Sequence, residues 1–147
     1  MKLNLGSGNL KKEGFLNIDI SKECNPDRVL DITKGLPFED NSCEEIHCGC
    51  VLEQICCNEK FIFVLNEIWR VLKPDGKLTG YVPSTDASVL FKDPMDCRFF
   101  QLDTFKYFTV DEHYYKEFGK NYGFKPWKNI NTKVQDGIIF FEMQPAK

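Results

Sequence analysis

The chain begins with the stretch MKLNLGSGNLKKEGFLNID, residues 1–19, and the fold is decided there. Residues 2–5 have the short apolar pattern of a buried strand, and Gly6-Ser7-Gly8 follows directly. A second short strand, residues 15–18, ends at Asp19. Glycine lets the backbone turn sharply and approach a ligand closely, and a carboxylate at the tip of the second strand can accept hydrogen bonds from two ribose hydroxyls. The stretch therefore predicts a nucleoside site, although an ordinary glycine turn beside a solvated Asp19 gives the same pattern.

Composition limits the class of protein. The 147 residues predict a single α/β domain, 1–147, with enough apolar content (42%) for a core of its own. The net charge is −3 and no basic run occurs, so nothing favours nucleic-acid binding. No apolar run is long enough for a membrane span, and the start lacks a signal-peptide pattern. We therefore expect a cytoplasmic protein with no membrane partner.

Cysteine is abundant and odd in number. Four of the seven cysteines and His47 lie within residues 47–57, which invites a zinc interpretation, but no pair has the C-x-x-C spacing. We predict no metal site and reduced thiols that pack as small apolar side chains. The seven are Cys24, Cys43, Cys48, Cys50, Cys56, Cys57 and Cys97.

Strands and connections alternate in the first half of the chain. After the opening pair, strands are expected at 28–30, 45–48 and 77–82, which favours a parallel sheet with flanking helices. Apolar residues at helical spacing predict a helix over 58–72, with Asn58 as N-cap and a stop at residues 73–76. Because only residues 9–14 lie between Gly8 and the second strand, the first crossover must be shortened to one helical turn or none.

The second half of the chain has a different pattern. Residues 91–108 predict an aromatic loop followed by a short helix from Asp103, and the capping-box spacing of Thr109 and Glu112 predicts a helix to about residue 118. Strands at 125–133 and 138–143 flank Asp136-Gly137, a strong hairpin signal. We expect a mostly parallel sheet that ends in an antiparallel hairpin.

Five segments in order resemble a known family, the compact class I S-adenosylmethionine-dependent methyltransferases of the type 11-like group. This resemblance implies a Rossmann-like fold and S-adenosyl-L-methionine as cofactor. The segments are LNLGSG (3–8), GFLNID (14–19), LPFEDNS with EI and VLEQI (36–42, 45–46, 51–55), EIWRVLKPDGKL (67–78), and DP with RFF (93–94, 98–100).

The resemblance implies a cofactor site, residue by residue. Gly6 and Gly8 would pass beside the methionine part of the cofactor, and Asp19 would bind the ribose hydroxyls. Asp31 would accept from the adenine amine, and Cys50 would lie near the sulfonium and the acceptor entrance. The full set of expected cofactor residues is Asn4, Gly6, Ser7, Gly8, Asp19, Ile20, Asp31, Ile32, Gly49 and Cys50.

The sequence also departs from that family. An acid is common in the family where Asn4 stands, and a third glycine where Leu10 stands. Histidine is common at the positions of Cys50, Gln54 and Asp96. The catalytic residues therefore stay unassigned.

Four side chains remain as catalytic candidates: Glu53, Asp93, Asp96 and Arg98. The guanidinium fork of Arg98 suits an anionic acceptor. The alternative is that Asp93 and Asp96 only pair with it in a surface loop.

The predicted function is methyl transfer from S-adenosylmethionine to a small molecule or a sugar. The alternative is a catalytically weak cofactor-binding module that regulates or scaffolds a partner. A nicotinamide dehydrogenase fits poorly because Asp19 lies thirteen residues beyond Gly6, not the ~20 of the dinucleotide fingerprint. A nucleic-acid methyltransferase would need a basic surface and an Asn/Asp-Pro-Pro-aromatic tetrad, which the chain lacks. The oligomeric state is not predicted.

Overall fold

Seven strands form a single mixed sheet in the computed structural model of the chain, which describes residues 1–85 and 92–147. The strand order is β3-β2-β1-β4-β5-β7-β6. None of the helices in these two ranges is long and apolar enough for a membrane span. The strands are β1 (Lys2–Leu5), β2 (Leu16–Asp19), β3 (Arg28–Val29), β4 (Cys43–Gly49), β5 (Leu72–Pro83), β6 (Trp127–Gln135) and β7 (Ile138–Pro145).

The direction of the strands agrees with the prediction. Strands β1 to β5 are parallel, whereas β7 is antiparallel to both β5 and β6. Asp136 and Gly137 join the last two strands with φ of 50° and 76°, the left-handed conformation that two-residue hairpin turns use. The predicted α/β fold with a C-terminal hairpin is confirmed.

The first crossover is as short as the sequence implied. Between β1 and β2 the chain forms turns only, and the amide of Ser7 donates to the carbonyl of Ile18 at 2.9 Å. This bond ties the glycine turn directly to the second strand. Short 3-10 helices occupy other connections: Lys22–Cys24, Ile32–Lys34, Leu52–Gln54 and Leu102–Tyr107.

The long helix α1 (Asn58–Val71) packs on one face of the sheet. Its predicted apolar stripe is buried, including Phe61, Leu65 and Ile68, because these positions recur on one side of the helix. Its N-cap is Cys57, so the expectation that Asn58 caps the helix was wrong by one position.

Strand β5 begins directly after α1, at Leu72, not at residue 77 as predicted. Leu72 pairs with Cys43 and Lys77 pairs with Glu45, so residues 73–76 form an excursion opposite a single residue of β4. Residues 73–76, which were expected to separate the helix from the strand, therefore form a bulge near the start of β5.

The helix expected from Thr109 begins later. Thr109 forms an isolated bridge with Trp127, and its hydroxyl donates to the carbonyl of Phe105 at 2.9 Å, so it does not cap a helix. A π-helix (Tyr115–Gly119) continues into α2 (Lys120–Tyr122). The helical segment, expected to end at about residue 118, therefore runs on through Gly119 to Tyr122.

The two faces of the sheet differ in polarity. Leu3, Ile46, Leu78 and Met143 are successive register partners across four strands, and all are buried on the α1 side. The neighbouring row on the other face is polar and lines an open groove of 620 Å³. That row runs Asn17, Asn4, His47, Thr79, Glu142 and Asn131, and all of these except Asn17 line the groove.

Candidate cofactor and acceptor site

A cavity of 460 Å³, called here the main cavity, lies where β1, β2 and β4 end. Ligand pockets typically measure ~300–1,000 Å³, and open parallel sheets bind ligands at the carboxyl ends of their strands. Nine of the ten predicted cofactor residues line it: Gly6, Ser7, Gly8, Asp19, Ile20, Asp31, Ile32, Gly49 and Cys50.

The glycine turn forms one wall of the main cavity. Gly6 and Gly8 have φ of 63° and 49°, and a Cβ on Gly6 would overlap Cγ2 of Val51. Between them, the Ser7 hydroxyl is buried and has no hydrogen-bond partner among the described residues. A buried hydroxyl without a partner is costly unless a ligand supplies one, so the turn has both the shape and the polarity of a ligand cradle.

The Asp19 carboxylate is held in place by the backbone. One of its oxygens accepts from the amide of Gly8 at 2.7 Å, and the other accepts from the amide of Ser21 at 2.8 Å. Each carboxylate oxygen has a second lone pair. Asp19 can therefore accept two hydroxyl hydrogens of a ribose while the backbone keeps it oriented.

Asp31 caps the 3-10 helix Ile32–Lys34 on the opposite wall. Its carboxylate accepts from the hydroxyl of Thr33 at 2.7 Å and from the Thr33 amide at 3.0 Å. The hydroxyl bond is the largest of the effects that hold the pKa of Asp31 below its usual value. Asp31 stays ionised at neutral pH and can accept from an exocyclic amine.

Cys50 lies where the main cavity narrows. Its φ is 51°, an uncommon value for a residue with a side chain, and its amide donates to the carbonyl of Tyr81 at 2.9 Å. Burial, together with the negative charge of Glu53, raises the pKa of the Cys50 thiol to about 12. The thiol therefore stays protonated and is no nucleophile at neutral pH.

The tenth predicted residue, Asn4, lies outside the main cavity and lines the open groove. Its amide donates to the carbonyl of Leu10 at 3.1 Å and to the side chain of Asn17 at 2.9 Å. The structure thus places Asn4 behind the glycine turn, where it anchors the connection between β1 and β2.

A smaller cavity of 190 Å³, called here the side cavity, adjoins the main one through Cys50 and Gln54. Three of the four catalytic candidates line it: Glu53, Asp93 and Asp96. Sequence reasoning missed its other walls. Lys92 is one of these walls, and Pro83 and Ile138 come from β5 and β7, where no local pattern marks them as site residues.

Glu53 is almost fully buried, with 1% of its surface exposed. One of its carboxyl oxygens, and one of Asp96, are buried without a hydrogen-bond partner in the described part of the chain. Burial raises the pKa of Glu53 to about 7, against hydrogen bonds from its own backbone and Cys50. Glu53 can therefore gain or lose a proton near neutral pH, as a general acid or base must.

Hydrogen bonds and a disulfide connect residues 92–98 to the segment that contains Glu53. The Glu53 carbonyl accepts from the amides of Cys97 and Arg98, each at 2.9 Å, and Gln54 donates to Asp93 at 3.2 Å. A disulfide joins Cys56 and Cys97, whose Cα atoms are 5.5 Å apart.

The disulfide corrects the expectation that every cysteine is a free thiol. Cys43 and Cys48 do pack in the core as small apolar side chains, whereas Cys24, Cys50 and Cys57 are free but not buried. No cluster of three or more His, Cys, Asp or Glu side chains within residues 1–85 and 92–147 has the geometry for a metal ion.

The fourth catalytic candidate, Arg98, lies away from the side cavity. It donates to the carbonyl of Ile55 at 3.1 Å and to Asn58 at 3.0 Å, and its guanidinium lies 4.0 Å from the centre of the Phe61 ring. Across both described ranges, no ion pair links Arg98 to Asp93 or Asp96. Arg98 thus holds the start of α1 in place and is no ion-pair partner of the two aspartates, whereas its role as anchor of an anionic acceptor stays a prediction.

Comparison with known structures identifies the fold. The fold resembles the crystal structure of an S-adenosylmethionine-dependent methyltransferase from Clostridium acetobutylicum, with a TM-score of 0.68 and 11% identity over 99% of this chain and 84% of that one. It also resembles the complex of the Haloferax volcanii Trm112 methyltransferase activator with a methyltransferase, with a TM-score of 0.67 and 14% identity over 99% and 82%. The class I methyltransferase fold is confirmed.

The sequence comparisons agree with the structural ones. Residues 10–79 match a family model described as a methyltransferase domain. An uncharacterized protein of Methanocaldococcus jannaschii is 34% identical over 80 residues, which is 48% of this chain. The match spans about a third (34%) of that relative's length. The resemblance to class I methyltransferases is confirmed, and S-adenosyl-L-methionine is the cofactor that these comparisons support.

Proposed function

We propose that this protein transfers a methyl group from S-adenosyl-L-methionine to a small molecule or a sugar bound beside Cys50. The observation that carries the proposal is the arrangement of polar groups without partners. Ser7 faces the main cavity, and Glu53 and Asp96 line the adjoining side cavity. Each cavity thus offers groups that a bound molecule would satisfy.

In this proposal, different residues of the main cavity bind different parts of the cofactor. Asp19 would hold the ribose hydroxyls, and Asp31 with Ile32 would hold the adenine. The glycine turn with Ser7 would lie along the methionine part. This placement brings the sulfonium to the Cys50 end, where the two cavities meet.

The methyl donor needs little activation, because a sulfonium is already a good leaving group. The protein's main contribution is to align the acceptor with the methyl carbon. The side cavity supplies that position, and its 190 Å³ suits a small molecule or one end of a larger one. Cys50 would not become methylated in passing, since its thiol stays protonated.

Label transfer tests the proposal. The purified protein is incubated with cofactor labelled in the methyl group and a panel of small amines, alcohols and sugars. We expect label in at least one acceptor, and Asp19→Ala to lose that activity while Asp103→Ala, an exposed change outside both cavities, keeps it. A protein that binds the cofactor one to one and labels no acceptor supports the cofactor-binding module instead. No cofactor binding at all contradicts both.

A further inference from the structure

The chemistry of the side cavity narrows the class of acceptor. Among the charged side chains that line it within residues 1–85 and 92–147, Glu53, Asp93 and Asp96 are acidic, and only Lys92 is basic. Both oxygens of Asp93 have a protein partner, since they accept from the amide of Met95 at 2.9 Å and from Gln54 at 3.2 Å. Two buried oxygens remain, one on Glu53 and one on Asp96, and neither has a partner within the described residues.

A ligand with two hydrogen-bond donors would satisfy both of these carboxyl oxygens. A single hydroxyl supplies one donor, whereas an ammonium supplies three and adds a compensating positive charge. An anionic acceptor would be repelled, because a like charge in a buried site is unfavourable. The cavity has room for about six water-sized atoms, enough for an amino group and the carbons next to it.

We propose that the side cavity binds the acceptor by an amino group, with Glu53 taking a proton from that group and Asp96 holding it. This inference rests on the proposed methyl transfer and deepens it, because it names an amine as the acceptor. The amine could be carried by an amino sugar or by a non-sugar molecule, and the probes below include one of each.

The proposed step balances in atoms and charge. The ammonium of the acceptor gives one proton to the Glu53 carboxylate and becomes a neutral amine. The nitrogen lone pair then forms a bond to the methyl carbon, and the bond from that carbon to sulfur breaks with its electrons on sulfur. The products are a methylated ammonium and S-adenosylhomocysteine, and Glu53 later releases its proton to water.

The surroundings of Glu53 suit this role. The titratable and charged groups near it are Cys48, Cys50, Tyr81, Lys92, Asp93 and Asp96. Burial is the main cause that raises the pKa of Glu53 to about 7, and the two aspartates add to it. A base with that pKa is ionised in about half of the molecules at neutral pH, and a general base works best when its pKa lies near the operating pH.

Binding to the product complex tests the inference without relying on turnover. The protein is saturated with S-adenosylhomocysteine, and matched pairs of probes are titrated by calorimetry: tyramine against tyrosol, and glucosamine against glucose. We expect the amine of at least one pair to bind about tenfold more tightly than its hydroxyl partner or more, the scale of a charge-assisted hydrogen bond. Glu53→Gln and Asp96→Asn should each remove that preference.

The control is Glu59→Gln, which neutralises an exposed glutamate outside both cavities and should keep the preference. With any amine that is methylated, Glu53→Gln should reduce turnover by about 10²–10⁴-fold, the usual contribution of a general base, with cofactor affinity unchanged.

The possible results test the amine acceptor and the proposed methyl transfer separately. Normal S-adenosylhomocysteine binding with no amine preference in either pair overturns the amine inference alone. A preference that survives both Glu53→Gln and Asp96→Asn does the same. Failure of S-adenosylhomocysteine to bind overturns the proposed function, and the amine inference falls with it.

Discussion

Glu53 has the most unusual environment of any acidic side chain in the described residues. Its carboxyl is nearly inaccessible to water, so ionising it in the folded protein costs more than in the unfolded chain. The pKa is about 7 in the folded protein against an ordinary value of 4.5. Between these pH values the folded state keeps a proton that the unfolded state has released, which makes stability fall as pH rises.

Comparing the wild type with Glu53→Gln isolates this effect. The stability that the protonated carboxyl confers is complete below pH 4.5 and is lost as pH rises through 7. Relative to Glu53→Gln, the wild type should lose about 3 kcal/mol of unfolding free energy between pH 4.5 and 8. Urea unfolding at several pH values measures the difference. Relative to Glu59→Gln, which keeps Glu53, the wild type should show no such loss. A difference that does not change with pH would contradict the burial of an ionisable Glu53.

The glycine turn gives a second prediction at the scale of single residues. Both Gly6 and Gly8 have positive φ, so alanine at either site should cost ~1–2 kcal/mol of stability for the backbone alone. Gly6→Ala also overlaps Val51, which should add ~1–3 kcal/mol, whereas nothing lies within 4 Å of a Cβ on Gly8.

Urea unfolding of Gly6→Ala and Gly8→Ala measures the two costs as a matched pair. Adding Val51→Ala to Gly6→Ala should recover part of the loss, because the overlapping methyl is removed. Equal stability of the two glycine variants would show that the turn does not pack against Val51 as described.

The positions of site residues were predictable where they follow from strand ends, and not where they depend on distant contacts. The motif positions Gly6, Asp19 and Asp31 lie on the walls of one cavity, as the order of strand ends implied. Arg98 could not be placed in the same way, because its partners Ile55 and Asn58 lie about forty positions earlier.

At the scale of elements, the link between residues 92–98 and the Glu53 segment has the largest consequence. The disulfide between Cys56 and Cys97 closes a loop with a sequence separation of 41, and it fixes the wall of the side cavity. In the chain-entropy account, a crosslink of this span stabilises the folded state by about 4 kcal/mol.

Cys97→Ser, or reduction of the wild type, should therefore reduce the unfolding free energy by up to about 4 kcal/mol. Chemical unfolding with and without a reductant measures the loss. Cys24→Ser is the control, since Cys24 is a free, partly exposed thiol that takes no part in the disulfide and should change little. An unfolding midpoint that is the same with and without reductant would show that the bond adds nothing to stability.

The elements show why some boundaries are predictable from sequence and others are not. Helix α1 was predicted to within one residue because its apolar stripe repeats every three to four positions. The start of β5 was missed because residues 73–76 have turn chemistry, yet the flanking residues Leu72 and Lys77 both pair with β4. The helix expected at Thr109 was misplaced because a bridge to Trp127 takes that residue, a contact with no local signal.

At the scale of the whole molecule, the sheet is covered by α1 on one face and has an open polar groove on the other. On the polar face, side chains of neighbouring strands form ion pairs and a hydrogen bond with each other. Lys2 pairs with Glu45 and Lys77 with Glu142, each at 3.0 Å, and His47 hydrogen-bonds Thr79 at 3.0 Å. The order and direction of the strands followed from their pattern, whereas this asymmetry between faces became clear only from the register.

The domain count stays a prediction, as does the identity of the site residues. What the fold does establish is the geometry on which the account depends: a cavity at the strand ends that Asp19 enters from β2, with a side cavity beside it. The central claim is therefore that Asp19 binds the ribose of the cofactor.

Calorimetric titration with S-adenosylhomocysteine tests that claim most directly. We expect about one ligand per chain, and Asp19→Ala should lose about 1.5–3 kcal/mol of binding free energy, the worth of hydrogen bonds to a charged group. Asp103→Ala should bind as the wild type does, and circular dichroism of Asp19→Ala checks that the variant is folded. No binding by the wild type, or equal binding by a folded Asp19→Ala, would contradict the account.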